Sequence, residues 1–404
     1  MTTLHTHIFQ NHLEQAEETL AYLKNLQKTL PLFQQLCFDY SPILDHVERL
    51  KKFDDIIILG TGGSSLGGQA LTALRTTLSP RLHFLDNIDA FTFNKVTQGI
   101  VQEKTAVIAI SKSGNTAETL IQLLTCLKLW DKNAISQQFL IVSEPSDNAI
   151  RQVAREFSIP CLDHPPHIGG RYSVFTVVGL LPALLAGQSV DAFREGALNA
   201  LNSLNTNTIK ECAPLMGALV QVSLMDQGVN QTVLIPYCDR LALLSSWFCQ
   251  LWAESIGKRD SQGARKGSTP VRALGAVDQH SQLQLYLDGP QDKFFTFLTL
   301  RQQEETLPIS SSQFQHPALM SLDGKTMGQL MNAEQRATLD TLRAQGAPVR
   351  EIAINTLTET DLGELMMHFI LETLAAAFLL KVNPFDQPAV EDGKKRALAY
   401  LQAM

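Results

Sequence analysis

Nine residues, Ser111-Lys-Ser-Gly-Asn-Thr-Ala-Glu-Thr119, carry four hydroxyls, one ammonium and a glycine. Three hydroxyls with exposed backbone amides suit a phosphate dianion, which offers several acceptor oxygens. The same serines and threonines also suit a helix N-cap. Gly60-Thr-Gly-Gly-Ser-Ser-Leu-Gly67 repeats the theme: its glycines let backbone approach a ligand, and amides at a helix start favour an anion. It is not the dinucleotide pattern G-x-G-x-x-G, because Ser65 takes the last glycine position, and it is not a Walker loop, because no Lys-Ser/Thr follows Gly67. A plain tight turn would use the same glycines. Two such loops on adjacent strand ends favour phosphate.

Candidate acid–base groups lie further along. Gly169-Gly-Arg-Tyr-Ser173 presents Arg171 on a glycine turn, where it could stabilise a developing oxyanion or form a structural ion pair. Gln250 and Glu254 are four apart on one helix face among Trp247, Phe248, Leu251 and Trp252. A carboxylate in that setting is either a satisfied buried acid or a general base. His280 could shuttle protons from a loop or simply face solvent. Gln387 and Lys394 are seven apart, about two helical turns if that segment is helical. His5, His7, His12, His164, His167 and His368 do not cluster with acids or cysteines, which points to no metal site.

These residues need a scaffold. Asp55–Gly60, Ala106–Ile110 and Phe139–Val142 read as short apolar strands, each followed by a polar loop and a helical pattern. Continuous apolar strands alternating with helices predict a parallel sheet covered on both faces, with ligands at the carboxyl ends of its strands. A second unit follows the polar Leu201–Asn207 region, with strands expected at Thr232–Pro236 and Gln282–Leu287 and a long helix near Leu241 to Gly257. Residues 8–50 read as helix, and Leu365 to Leu380 as a buried helix too short and too polar at His368 and Glu372 for a membrane span.

The 404 residues allow two or three domains, and the formal charge of −7 argues against nonspecific binding to nucleic acid or anionic membrane. The N-terminus lacks the pattern of a secretory signal. Six scattered cysteines without a C-x-x-C pair read as reduced thiols of a cytoplasmic protein.

Six segments in order resemble the phosphoglucose isomerase family: GTGGSSLG, SKSGNTAET, GGRYSVFTVVGLLP, QLWAESIGK, TPVRALGAVDQHSQLQLYLDGP and NPFDQPAVEDGKK, spanning residues 60 to 395. The resemblance implies an α/β fold of two SIS (sugar isomerase) domains, each a doubly wound parallel-sheet sandwich. The expected division is an N-terminal helical segment (1–50), a first domain (51–200), a second (201–381) and a C-terminal segment completing the active site (382–404). It implies reversible isomerisation of glucose 6-phosphate to fructose 6-phosphate through ring opening and an enediol. Ser111, Ser113 and Thr116 would then hold the phosphate, with the Lys112 amide, Gly63 and Ser64 nearby. Glu254 would move the proton between C2 and C1, and Arg171 would stabilise the enediolate. His280, given by a partner subunit of a homodimer, and Lys394 would assist ring opening, with Gln250 and Gln387 lining the site. Such chemistry needs one base and a nearby positive charge, with no redox cofactor and no metal.

Two positions depart from the family pattern: Ala389 stands where a glycine is usual, and Pro166 where a polar residue is usual. A dual phosphoglucose/phosphomannose isomerase would share the phosphate loop, but QLWAESIGK and DQHSQLQLYL favour the glucose-specific family. A non-catalytic sugar-phosphate sensor of the same fold need not keep Glu254, Arg171, His280 and Lys394 together, and this chain has all four.

Overall fold

The computed structural model describes residues 3–205 and 208–404, with residues 3–13 by backbone alone. Met1, Thr2, Thr206 and Asn207, and the side chains of His5, His7 and His12, lie outside the described residues.

The first sheet holds β1 (Asp55–Leu59), β2 (Arg81–Leu85), β3 (Thr105–Ile110), β4 (Phe139–Ser143) and β5 (Cys161–Asp163), all parallel, in the order β2-β1-β3-β4-β5. Every residue of β1, β3 and β4 is buried, as unbroken apolar runs covered on both faces require. Asp55 anchors the edge strand: Arg81, its register partner on β2, donates two hydrogen bonds to it at 2.7 Å. Strand order reverses between β1 and β3, so the crevice at their carboxyl ends is where a ligand belongs in such a sheet.

The second half contains β6 (Gln231–Pro236), a short antiparallel ribbon of β7 (Lys258–Arg259) and β8 (Arg265–Lys266), then β9 (Thr269–Arg272), β10 (Lys293–Leu300) and β11 (Val349–Ile354). The parallel order is β11-β10-β6-β9. Here one expectation fails. Gln282–Leu287 is not a strand; residues Leu283–Asp288 form a short helix. Leu283, Tyr286 and Leu287, three and four apart, turn to one apolar cluster, a helical period that a few alternating glutamines and leucines obscure. The strand that takes this place is β10, all eight residues of which are buried.

The N-terminal region also departs from one continuous helix. It forms helices Thr3–Thr29, Pro31–Gln34 and Ser41–Leu50. The breaks fall at Leu30, the extended residue before Pro31, and at residues 38–40, ahead of a helix that carries Pro42 in its first turn, where proline is tolerated. Glu359–Leu379 is the buried helix expected around 365–380, opened by a capping box between Thr358 and Asp361. Among the described helices it alone is long and apolar enough to cross a membrane, and 83% of that stretch is buried inside the fold.

One apolar cluster joins the halves, taking Leu71 and Leu180 from the first and Leu234, Leu298 and Phe369 from the second. Through it runs the helix Ala242–Ile256. Its Phe248 ring meets Phe369 at 4.8 Å and Trp252 at 5.7 Å between centroids. Burying each such side chain stabilises by roughly 1.5–3 kcal/mol, so the helix carrying Gln250 and Glu254 is a rigid mount.

Candidate active site

The loop after β3 gathers hydroxyls at the start of a helix. Ser111 is buried, and its hydroxyl meets that of Thr116 at 2.9 Å. Thr116 stands at the N-cap of helix Ala117–Leu129 but makes no side-chain cap. The capping alternative therefore does not describe this threonine, and the first-turn amides keep their affinity for negative charge. Ser113 is exposed at the loop crest. Gly114 has φ +68°, a left-handed conformation that lets the chain turn back toward the helix. The Lys112 ammonium is drawn aside by Glu144 at 3.3 Å, which leaves the backbone of Lys112 rather than its charge at the loop.

The loop after β1 lies alongside. A Cβ on Gly63 would collide with the backbone of Gly170, so only glycine lets the two loops touch. The Ser173 hydroxyl stitches them, reaching the carbonyls of Gly63 at 3.3 Å and Gly170 at 2.7 Å. Ser64 is half-buried beside this contact.

The next residue after Gly170 is Arg171, only 3% exposed. All three of its guanidinium nitrogens are engaged. Nε donates to the Ser255 hydroxyl at 2.9 Å, Nη2 to the carbonyls of Pro384 and, at 3.2 Å, Asp386, and Nη1 to Glu254 Oε2 at 3.3 Å. Glu254 in turn accepts from Gln250 Nε2 at 3.1 Å and from Gln387 Nε2. The carboxylate thus sits among donors with about a third of its side chain (30%) still exposed. It opens on a cavity of about 820 Å³ shared with Lys258, Asp386 and Gln387. A fixed carboxylate beside a buried guanidinium can take a proton from carbon while the guanidinium offsets the charge that develops.

The structure therefore brings Glu254, Arg171, Gln250 and Gln387 together, and sets the loops 60–67 and 111–116 at neighbouring strand ends. It does not bring His280 or Lys394 to them. His280 is exposed at the end of a 3₁₀ turn, Val277–His280, and makes no hydrogen bond or ion pair with the cluster among the described residues. Lys394 is on the terminal helix Glu391–Gln402, paired with Glu391 at 2.8 Å.

Three supporting residues escaped the sequence reading. Ser255 accepts from Arg171 and meets the Tyr172 hydroxyl at 2.8 Å. Burial pushes the Tyr172 phenol up, which keeps it a donor, and it donates to the Pro384 carbonyl at 3.1 Å. Lys258 ties down the same turn through the carbonyls of Asn383 and, at 2.6 Å, Asp386. Ser255 and Tyr172 each adjoin a residue the sequence had flagged, which was the one available signal. The carbonyls of Pro384 and Asp386 left none.

Comparison with known proteins gives the family. Residues 46–403 match the family described as phosphoglucose isomerase. A glucose-6-phosphate isomerase of Rubrobacter xylanophilus is 35% identical over 372 residues, covering 87% of this chain and 84% of the relative. One from Thermus thermophilus is 36% identical over 345 residues, covering 84% and 82%. Among solved structures, a hypothetical protein of Thermus thermophilus superposes with a TM-score of 0.89 at 31% identity, covering 97% and 96%. A glucose-6-phosphate isomerase of Chlamydia trachomatis shares the fold with a TM-score of 0.78 at 21% identity, covering 92% and 73%. The chain belongs to the phosphoglucose isomerase family. It is an enzyme of the aldose–ketose isomerase class, built on the SIS fold.

Proposed function

We propose that this chain interconverts glucose 6-phosphate and fructose 6-phosphate, with Glu254 as the base and Arg171 as its electrostatic partner. The observation that carries this reading is the cluster itself: a partly exposed carboxylate held by Gln250 and Gln387 against a buried guanidinium. Glu254 takes the proton from C2 of the open-chain aldose, leaving an enediolate charged at O1; the O2 hydroxyl proton passes to O1, and Glu254 returns its proton to C1 to give the ketose. No atom is gained or lost, so one base serves both directions. The positive charge of Arg171 favours the enediolate over the neutral sugar, which lowers the barrier rather than merely tightening binding. The loops at 60–67 and 111–116 hold the phosphate, in the groove where the unit 51–200 meets the unit 201–381. Turnover of fructose 6-phosphate, followed by coupled oxidation of the glucose 6-phosphate formed, tests the activity; no turnover by the folded protein overturns it.

Ser113→Ala should raise KM by about tenfold with kcat little changed, because phosphate binding is largely uniform between ground and transition states. Steady-state kinetics check this; a pure kcat defect contradicts the phosphate role of Ser113.

Ring opening falls to His280 and Lys394; the exposure of His280 outside the Glu254 cluster of its own chain supports a homodimer in which the partner supplies it. A mixed dimer tests it. Glu254→Gln and His280→Ala are each expected to be nearly inactive. Co-expressed, they should recover about a quarter of wild-type activity, since half of statistically mixed dimers hold one intact site. No recovery in purified mixed dimers overturns the shared site.

A further inference from the structure

Behind the phosphate loop lies a side chain that the reaction does not touch. Asn148 is 8% exposed and sits between β4 and the helix Ala149–Glu156. Its Nδ2 donates to the hydroxyls of Ser143 at 3.2 Å and Ser146 at 3.1 Å. Its Oδ1 accepts from the Arg151 amide at 3.1 Å, capping the helix.

That helix start also grips the loop. An α-helix leaves its first amides without intrahelical acceptors. Here the Ala149 amide donates to Asn115 Oδ1 at 3.1 Å and the Ile150 amide to the Gly114 carbonyl at 3.0 Å. A Cβ on Gly114 would fall on the Asn148 amide, so the loop crest rests directly on Asn148. At the other end of the loop the Lys112 carbonyl accepts from the Glu144 amide at 3.1 Å and from the Ser143 hydroxyl at 3.4 Å. The Ser143 hydroxyl is also the one that Asn148 holds.

We propose that Asn148 is a positioning residue for phosphate binding. It braces both ends of the loop 111–116, so that the hydroxyls of Ser111, Ser113 and Thr116 and the intervening amides converge on one dianion before it arrives. The inference rests on the reading of 111–116 as the phosphate site. Without the brace, ordering the loop falls on the substrate and weakens binding of the phosphate, with little effect on the step at carbon.

The test compares Asn148→Ala and Asn148→Ser with wild type, measuring kcat and KM for fructose 6-phosphate, competitive inhibition by inorganic phosphate, and Tm. Serine is a good N-cap but is too short to hold both neighbouring hydroxyls, so Asn148→Ser keeps the helix capped and the protein folded. Both variants should raise KM and the phosphate inhibition constant together, by about tenfold in Asn148→Ala, with kcat within about twofold of wild type. A lowered Tm with both constants unchanged would reduce Asn148 to a helix cap and overturn the proposal. Ser113→Ala is run in parallel. If it raises the phosphate constant while Asn148→Ser does not, the positioning role alone fails. If Ser113→Ala leaves that constant unchanged, the phosphate reading of the loop fails, and this proposal with it.

Discussion

Glu254→Gln should lower kcat by about 10²–10⁴-fold while KM for the sugar phosphate stays near its wild-type value. The substitution keeps the shape of the side chain and removes its basicity. The mount remains: the helix Ala242–Ile256 is fixed by its buried aromatic residues, and the loops proposed to hold the phosphate are on the other half of the fold. Glu254 has donors on both oxygens, Gln250 at Oε1 and Arg171 with Gln387 at Oε2. A carboxylate satisfies all three, whereas an amide turns its own NH₂ toward one of them. The variant should therefore bind substrate, fail to abstract the C2 proton, and lose exchange of that hydrogen with solvent deuterium in step with turnover. Near-normal turnover in the purified variant would remove Glu254 as the base.

The second large effect is on stability. Glu372 is fully buried in the helix Glu359–Leu379. It accepts two hydrogen bonds from Arg350 Nη1, at 3.0 and 2.9 Å, one from Gln221, and meets His368 Nε2 at 3.0 Å. Burial alone would push its carboxyl up; the Arg350 charge, then His368, outweigh that and hold it down at about 2. Glu372→Ala leaves the Arg350 guanidinium, whose side chain is only 18% exposed, without its counter-charge, and breaking a buried pair this way typically costs about 3–5 kcal/mol. A urea titration should show the midpoint fall by the corresponding amount. Replacing both partners, as in Arg350→Met with Glu372→Met, should cost less than Glu372→Ala, because no buried charge is stranded. The pH dependence follows with a definite sign. A carboxyl depressed on folding contributes its stability above its unfolded value of 4.5 and loses it as pH falls toward about 2. Acid unfolding of wild type should steepen in that window, and Glu372→Gln should flatten it.

The legible parts were those written in short contiguous segments. Ser111 to Thr116 lie within one turn, and Gln250 and Glu254 are four apart, so local geometry alone places each group, and the hydrogen bond between the latter pair follows from helical spacing. The apolar strands β1, β3 and β4 were readable because burial on both faces leaves unbroken apolar runs. The strand β10 was missed because its lysine and two threonines, all buried, disguise the run. Glu372 looked like a polar interruption in an apolar helix, since Arg350 and Gln221 are 22 and 151 residues away.

By itself, then, the chain determined which groups are available, how each local cluster is spaced, and the alternation of strand and helix that puts loops at one end of a sheet. Those depend on near-neighbour sterics and on patterns of burial. Only the tertiary structure decided which clusters meet. It closed the 83 residues between Arg171 and Glu254 and the 133 between Glu254 and Gln387, turned backbone carbonyls of Pro384 and Asp386 onto Arg171, and left His280 and Lys394 outside the cluster of their own chain. Such meetings are set by how layers pack around a shared core, a balance of many distant contacts that no local pattern carries.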